Sequence, residues 1–228
     1  MGRTSVWANR NRRTLTMTAV AAVLVAAATI GVFAWRNNVT AKARAMLAEA
    51  MVVQEARVVP PTPAPDATTP ARAPQPGTYP TQKAKLEAAL PKLMAAADAY
   101  PSTDAGQTAR YHAAAALVGL GRFDEAVQQY ERVISDGSGL LSQMARLGKA
   151  EAQVRAAKHD AAIAGFKELS ERTDLNVPKE ALLLELARAY KLAGKHEDAR
   201  KTLTQIVEQH AESPFAAEAK SELEKIKS

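Results

Sequence analysis

A ten-residue pattern that occurs three times limits the possible folds of this chain more than any other feature. Its copies begin at Gly121, Ala157 and Gly194, which lie 36 and 37 residues apart. Three alanines upstream keep the same register: Ala114, Ala150 and Ala187. A repeat of this length accommodates two helices, and a two-helix hairpin can bury its apolar face only by stacking on another. The sequence therefore predicts an all-α fold, an α-solenoid of stacked helical hairpins.

Small and large side chains alternate within the copies in a way that suits closely packed helices. Alanine allows two helices to approach, glycine allows the tight turn between them, and one large side chain fills the gap to the next hairpin. The residues predicted to do this are Gly121, Phe123, Ala126, Tyr130, Ala162, Phe166, Gly194, Ala199 and Leu203.

This combination resembles the tetratricopeptide repeat, which has a period of about 34 residues. Three such units would cover about residues 105–210. The match departs from the family pattern where Ala157 replaces the turn glycine, and where His159 and His196 replace the aromatic residue that follows.

Helical periodicity continues to the end of the chain, and proline and glycine residues punctuate it. Eight helices are predicted, at 81–99, 104–119, 123–135, 140–156, 159–172, 178–193, 196–210 and 214–227. The last is expected to cap the solenoid domain, which would occupy residues 81–228. A membrane-proximal helix over residues 36–58 is expected to pair with the first of the eight as a fourth hairpin.

Between these two helices, residues 59–80 are rich in proline. No helix or central strand tolerates that density of proline, so the segment is predicted to be an extended loop or linker. A proline-rich stretch can also be a ligand for aromatic grooves, and the sequence leaves that alternative open.

An uncharged run from Thr14 to Trp35 precedes all of these elements. As a helix, residues 15–35 would be about 31 Å long, close to the roughly 30 Å hydrocarbon core of a bilayer. Three interpretations compete: an uncleaved transmembrane anchor, a cleaved signal peptide and a buried helix. The run is longer than the core of a signal peptide and has no polar stripe, which favours the anchor. We therefore predict a transmembrane helix at residues 15–35, in contact with the lipid bilayer.

Basic residues flank this run on both sides. Arg3, Arg10, Arg12 and Arg13 precede it, and Arg36, Lys42 and Arg44 follow it. The asymmetry is small, but basic residues concentrate on the cytoplasmic side of membrane helices. Residues 1–14 are therefore predicted to be a cytoplasmic flank, and the part after the span to be exported.

The net charge of +6 belongs mainly to the N-terminal flank. Without the four arginines of that flank, residues 36–228 carry 26 basic and 24 acidic side chains, a balance that argues against a nucleic-acid-binding surface.

The chain has no cysteine, which excludes disulfides and thiolate metal sites. Its histidines and glutamates form no recognisable motif for a metal, a cofactor or catalysis. The expected function is therefore binding to other proteins, not an enzymatic reaction.

The first helices of the hairpins are expected to line the partner-binding surface, because a solenoid of hairpins curves around them. The candidate residues, chosen from their positions on these helices, are Arg110, Tyr111, Arg146, Leu147, Leu183 and Leu184. A place in the core between repeats is the alternative for each of them. The sequence leaves open that the chain forms an oligomer.

An N-terminal anchor followed by tetratricopeptide-like repeats resembles the bacterial ancillary Sec-translocon subunit family. The resemblance covers most of the chain and implies a single-pass protein of the bacterial inner membrane, with its repeats in the periplasm. It implies translocon components or exported polypeptides as partners, with a chaperone-like role. A scaffold for envelope assembly or cell division has the same architecture and is the alternative.

Overall fold

Helices make up nearly all of the structure, a computed structural model that describes residues 12–60, 76–137 and 139–227. Nine helices lie within these ranges: α1 (Arg12–Gln54), α2 (Gln82–Ala99), α3 (Asp104–Gly119), α4 (Phe123–Asp136), α5 (Gly139–Arg155), α6 (His159–Glu171), α7 (Lys179–Leu192), α8 (His196–Gln209) and α9 (Phe215–Lys227). Two short strands, β1 (Arg57–Val58) and β2 (Thr78–Tyr79), form a parallel pair. Consecutive helices pack against one another as hairpins, which confirms the predicted α-solenoid.

The helices α2 to α9 begin and end within one residue of their predicted bounds. Side-chain caps mark two of the starts. The hydroxyl of Thr81 accepts a hydrogen bond from the Ala84 N–H, and that of Thr103 accepts one from the Gly106 N–H, both at 3.1 Å. Such caps satisfy N–H groups that the first turn of a helix leaves unpaired. Local sequence signals therefore set these boundaries.

The N-terminal helix α1 is continuous over 43 residues and about 64 Å long at 1.5 Å per residue. Among the described residues, it is the one helix with a stretch long and apolar enough to cross a membrane, and none of that stretch is buried. The predicted anchor and the membrane-proximal helix are thus parts of one element. Residues 1–11, with Arg3 and Arg10, lie outside the described residues.

The end of α1 differs from the prediction. A helix was expected to residue 58, but α1 ends at Gln54 and Arg57–Val58 is a strand. It pairs with Thr78–Tyr79, and the Val59 N–H donates to the Tyr79 carbonyl at 2.9 Å. This pairing brings the two ends of the proline-rich segment together. Residues 61–75, which hold most of its prolines, lie outside the described residues, so the extended loop stays a prediction.

The C-terminal part of α1 forms the first hairpin with α2, as predicted. Ala43 and Ala50 are buried, and Glu49 forms an ion pair with Lys92 of α2. Gln54 Nε2 lies 3.1 Å from Nδ1 of His112 on α3. The first hairpin of the solenoid is therefore continuous with the helix that contains the apolar stretch.

The repeat-signature side chains on the second helices lie inside the solenoid. The buried members are Ala126, Tyr130, Ala162, Phe166, Ala199 and Leu203. Buried side chains form two main clusters, one centred on α2 to α4 and one on α6 to α8, and α5 contributes to both. Alanine at the contacts lets the helices approach, and the larger side chains fill the space between hairpins.

Ala157 occupies the turn position that glycine has in the other two copies. Its φ is +57°, close to +76° at Gly121 and +74° at Gly194. A residue with a Cβ adopts this left-handed conformation at a cost of about 1–2 kcal/mol. We expect Ala157→Gly to raise the free energy of unfolding by about 1 kcal/mol and Gly121→Ala to lower it by a similar amount.

Urea unfolding of the full chain in mild detergent measures both changes. A Cβ at Gly121 would meet no atom within 4 Å, so the effect there is conformational and not steric. A less stable Ala157→Gly variant would contradict this explanation of the turn.

Candidate protein-binding groove

The first helices of the hairpins form one side of the solenoid. The helix α1 contacts α3, α3 contacts α5, and α7 contacts α9, although none of these pairs is consecutive in the chain. Side chains on this side are close enough to contact one another or to shift one another's pKa values. We call the surface lined by Tyr111, His112, Glu151, Arg155, Glu185 and Arg188 the inner groove.

Aromatic side chains form the part of the inner groove nearest α1. The Tyr111 ring packs edge-on against His112, with centroids 5.8 Å apart, and against Tyr130, at 5.7 Å. Tyr130 lies on α4 and fits against α5 because Gly148 has no side chain; a Cβ there would lie 2.6 Å from the Tyr130 ring. Burial is the main cause that raises the pKa of both tyrosines and lowers the pKa of His112. The aromatic part is therefore uncharged at neutral pH.

A charged cleft of about 280 Å³ lies next to these rings. It is lined by Glu151, Val154, Arg155, Phe166 and Glu185. Burial raises the pKa of Glu151, the like charge of Glu185 raises it further, and Arg155 opposes both. Glu185 has an ion-pair partner in Arg188, whereas no basic group of the described residues lies within 4.0 Å of the Glu151 carboxylate. Glu151 is thus the carboxylate of this cleft that is open to a basic group from outside.

Replacing Glu151 with glutamine is expected to stabilise the fold at neutral pH. A raised carboxyl pKa means that the ionised form costs the folded state more than the unfolded state. The gain at pH 7 should be less than about 1 kcal/mol, because solvent screens a carboxylate at the surface. It should vanish below the ordinary value of 4.5, where the carboxyl is protonated in both states.

Thermal unfolding across this pH range tests the expectation, with the exposed Glu224→Gln on α9 as control. A Glu151→Gln variant that is less stable than wild type at pH 7 would contradict it.

At the α7 end of the inner groove, acidic side chains of α9 neutralise the basic side chains. Arg188 of α7 pairs with Glu185 and with Glu218 of α9, and Lys191 pairs with Glu222 of α9. Hydrogen bonds from Lys191 and a second lysine lower the pKa of Glu222 to about 2. These basic groups are occupied within the chain, so the aromatic and acidic part near α1 is the one left for a partner.

Three of the six predicted groove residues are buried, which corrects their expected placement. Leu183 and Leu184 belong to the second core cluster. Arg110 is 5% exposed and hydrogen-bonds to groups of α2 and α4. A helix turns by about 100° per residue, so a shift of one position moves a side chain from the groove into the core. The sequence left a place in the core between repeats as the alternative for each residue, and the structure places these three there.

The other three are half-buried. Tyr111 lies in the inner groove, Leu147 packs against the second core cluster, and Arg146 pairs with Glu168 of α6 at 2.9 Å. Their contact with a partner stays a prediction. Across the described residues, no group of three or more histidine, aspartate or glutamate side chains is placed to hold a metal ion.

The acidic groups of the cleft are residues that the sequence did not reveal as candidates. Glu151 and Glu185 pass for solvated surface side chains when only the sequence is considered. A signal was present, because Glu151 and Arg188 directly follow the register alanines Ala150 and Ala187. Equivalent positions on the first helices lie on the same side of a solenoid, so charges at these positions are neighbours.

Two solved structures with TM-scores above 0.5 have a fold similar to that of this chain. Crystal structures of the nearly identical TPR-like repeats of a Podosopora anserina kinesin light chain, and of a variant of them, are each 19% identical to this chain with a TM-score of 0.53. They match 64% of this chain and 78% and 79% of their own lengths. The structure of MamA, 41 to end, from Desulfovibrio magneticus RS-1 is 15% identical with a TM-score of 0.46, over 64% of this chain and 88% of MamA.

No curated protein matches the chain in sequence. The family model described as "Tetratricopeptide repeat" matches residues 108–136, which hold most of α3 and all of α4, and residues 180–213, which hold most of α7 and all of α8. These two parts of the chain therefore match tetratricopeptide repeats, and they lie in an α-solenoid whose fold resembles that of other proteins built from such repeats.

Proposed function

We propose that the chain is a membrane-anchored interaction module that holds its inner groove close to the surface of a bilayer. The observation that supports this best is the continuity of α1. One helix contains the apolar stretch and also packs beside α3 as the first inner helix of the solenoid. The groove is then held at a constant distance from the anchor.

The inner groove suits an extended protein segment that carries apolar and basic side chains. Tyr111 offers an aromatic ring, and Glu151 offers a carboxylate that forms no ion pair with any described residue and has only the weaker influence of Arg155 beside it. A lysine or arginine from the partner would offset the repulsion between Glu151 and Glu185. An acidic segment has less to gain, since Arg188 is already paired with Glu218 and the charge of Arg155 is already opposed by the nearby Glu151.

The resemblance to ancillary Sec-translocon subunits suggests which segments these are. We propose that the anchor lies in a bacterial inner membrane, that the solenoid lies in the periplasm, and that exported polypeptides or translocon components occupy the groove. The basic N-terminal flank, with Arg12 and Arg13 directly before the apolar stretch, supports that orientation.

Site-specific photo-crosslinking in membranes tests the groove. A benzophenone amino acid at Tyr111 in the full-length chain should crosslink to exported polypeptides or translocon components, because a bound segment would lie against this ring. The same amino acid at the exposed Lys167, on the second helix α6, is the matched control and should give no such adducts.

The outcomes separate the alternatives. Equal adducts at both positions, or none at Tyr111, would refute binding in the inner groove. Adducts with envelope-assembly or division proteins would instead identify a scaffold.

Labelling with a membrane-impermeant maleimide tests the orientation. The chain has no cysteine, and Leu192 is exposed, so a Leu192→Cys variant carries one accessible thiol. We expect this thiol to react in intact spheroplasts. Reaction only after lysis would place the solenoid in the cytoplasm and refute the proposed export.

A further inference from the structure

The solenoid covers one face of the helix α1 and leaves the opposite face exposed. Ala43 and Ala50 are buried against neighbouring helices, and Met46 and Leu47 are half-buried beside them. On the opposite face the side chains are exposed, and Val52 is 71% exposed. This part of α1 therefore has an apolar side that no described residue of the chain covers.

The uncovered face follows a seven-residue repeat, and its residues can be labelled with the positions a to g of a coiled coil. The a and d positions, which we call the seam, are Val20, Leu24, Ala27, Gly31, Ala34, Asn38, Ala41, Ala45, Ala48 and Val52. All of them are exposed, and none is charged. The buried Ala43 and Ala50 are both at f, the position opposite the seam. The seam is thus exposed along about 48 Å of helix, from the apolar stretch to the first hairpin.

Small side chains in the apolar stretch of the seam suit contact with another helix. Ala27, Gly31 and Ala34 would let two backbones approach closely, as small residues do where membrane helices pair. A Cβ at Gly31 would meet no described atom within 4 Å, so the missing side chain relieves no crowding inside the chain. A close contact with a second helix would give this glycine a role.

The polar residues along the seam are complementary to those of an identical helix. In a parallel pair, each g residue faces the e residue of the next heptad in the partner helix. Arg44 is at g and Glu49 is at e, so Arg44 of each copy would face Glu49 of the other. Arg44 is exposed and forms no ion pair with any described residue. The Glu49 side chain is 68% exposed although it pairs with Lys92.

Asn38 supplies a second indication of an identical partner. It lies at an a position, where two parallel helices bring equivalent residues together. Two asparagine side chains can hydrogen-bond to each other, and a single asparagine at a fixes the register of two helices. In that register Arg44 and Glu49 also meet, so the two observations agree.

We propose that α1 pairs with α1 of a second copy through the seam, in a parallel homodimer. The occupant is a second copy because Arg44 and Glu49 complement each other at the spacing that parallel helices require. The parallel orientation rests on the proposed membrane anchoring, since copies inserted in the same direction run side by side. The contacts of α1 with the solenoid use positions b, c and f, so pairing leaves them unchanged and places the two solenoids on opposite sides of the helix pair.

Disulfide formation in native membranes tests the seam with the full-length chain. Because the chain has no cysteine, each single-cysteine variant has one thiol. Oxidation with copper phenanthroline should link two copies severalfold more at Ala27→Cys and Ala48→Cys, both at d, than at two controls. The controls are Ala22→Cys, at f in the apolar stretch, and Ala95→Cys, exposed on α2.

Charge reversal tests whether the pair consists of two copies in the parallel register. Arg44→Glu or Glu49→Arg alone places like charges opposite each other, so linkage at Ala27→Cys should fall severalfold. When the two variants are expressed together with different tags, mixed pairs have opposite charges at both contacts. We expect mixed pairs to recover the linkage of the unchanged sequence, and high salt to weaken both effects. Equal linkage in all combinations would overturn the pairing.

Carbonate extraction separates this inference from the anchoring on which its orientation rests. If the chain resists extraction and the seam positions link no better than the controls, the homodimer is refuted and the anchor stands. If carbonate releases the chain, the anchoring itself fails, and the parallel dimer fails with it. Seam thiols that link to a different protein instead of a second copy would also overturn the homodimer.

Discussion

Replacing Arg110 with methionine is expected to lower the free energy of unfolding by about 2–4 kcal/mol. The Arg110 guanidinium donates to Gln129 Oε1 of α4, to the Ala97 carbonyl and to Asp98 Oδ1 of α2, each at 3.0 Å. It joins three helices from α3, and it is 5% exposed. Methionine fills similar space but donates nothing.

Two of the three acceptors would be left without a hydrogen-bond donor in the Arg110→Met variant, and this is why the expected loss of stability is large. The Ala97 carbonyl lies four residues before Pro101, which has no N–H, so Arg110 supplies the donor that the end of α2 otherwise lacks. Gln129 is also buried, and each buried acceptor left without a donor costs about 1–3 kcal/mol. The Asp98 side chain is 55% exposed, so water replaces the guanidinium there.

Urea unfolding followed by far-ultraviolet circular dichroism measures this effect. The control is Arg132→Met on the exposed side of α4, which should change stability by less than about 0.5 kcal/mol. Arg110→Lys should recover only part of the loss, because an ammonium group cannot reach all three acceptors in the planar geometry of a guanidinium. An Arg110→Met variant as stable as the control would contradict the stabilising role of the three Arg110 hydrogen bonds.

Replacing Phe166 with alanine should be more damaging still, by about 3–5 kcal/mol. The ring is fully buried in the second core cluster and also forms the floor of the Glu151 cleft. Alanine removes its contacts and leaves a cavity that rigid neighbouring helices cannot close.

The damage should be local along the chain, because stacked hairpins are stabilised by their neighbours only. Hydrogen exchange measured by mass spectrometry should show loss of protection in α5 to α8, while α2 to α4, around the first cluster, keep most of theirs. Leu192→Ala, at an exposed position, is the control and should leave both regions unchanged. A uniform loss of protection along the whole chain would contradict the separation into two clusters.

Most of the helix pattern could be predicted from the sequence, and the reason is local. Caps such as Thr103, the prolines and the glycines at the turns act within a few residues, so they mark the bounds of a helix in the linear sequence. The end of α1 at Gln54 could not be read in this way. That end coincides with pairing between Arg57–Val58 and strand β2, which lies about 20 residues farther along the chain.

The candidate site was predictable only as a region. The repeat indicated that the first helices line the binding surface, but which positions face it depends on how each hairpin is rotated against the next. Arg110 and Tyr111 are adjacent in sequence, yet one lies in the core and the other in the inner groove. Likewise, the sequence does not show that Arg188 pairs with Glu185 and Glu218, or that Glu151 forms no ion pair with any described residue.

By itself, the sequence determined an all-α repeat of hairpins, its register and the apolar stretch before it, because periodicity, small residues and helix caps act locally. Only the tertiary structure decided the strained turn at Ala157, the buried hydrogen bonds of Arg110 and the cleft beside Glu151. Each of these depends on contacts between helices whose rotation and offset are set by packing, and packing joins residues that are distant in the chain.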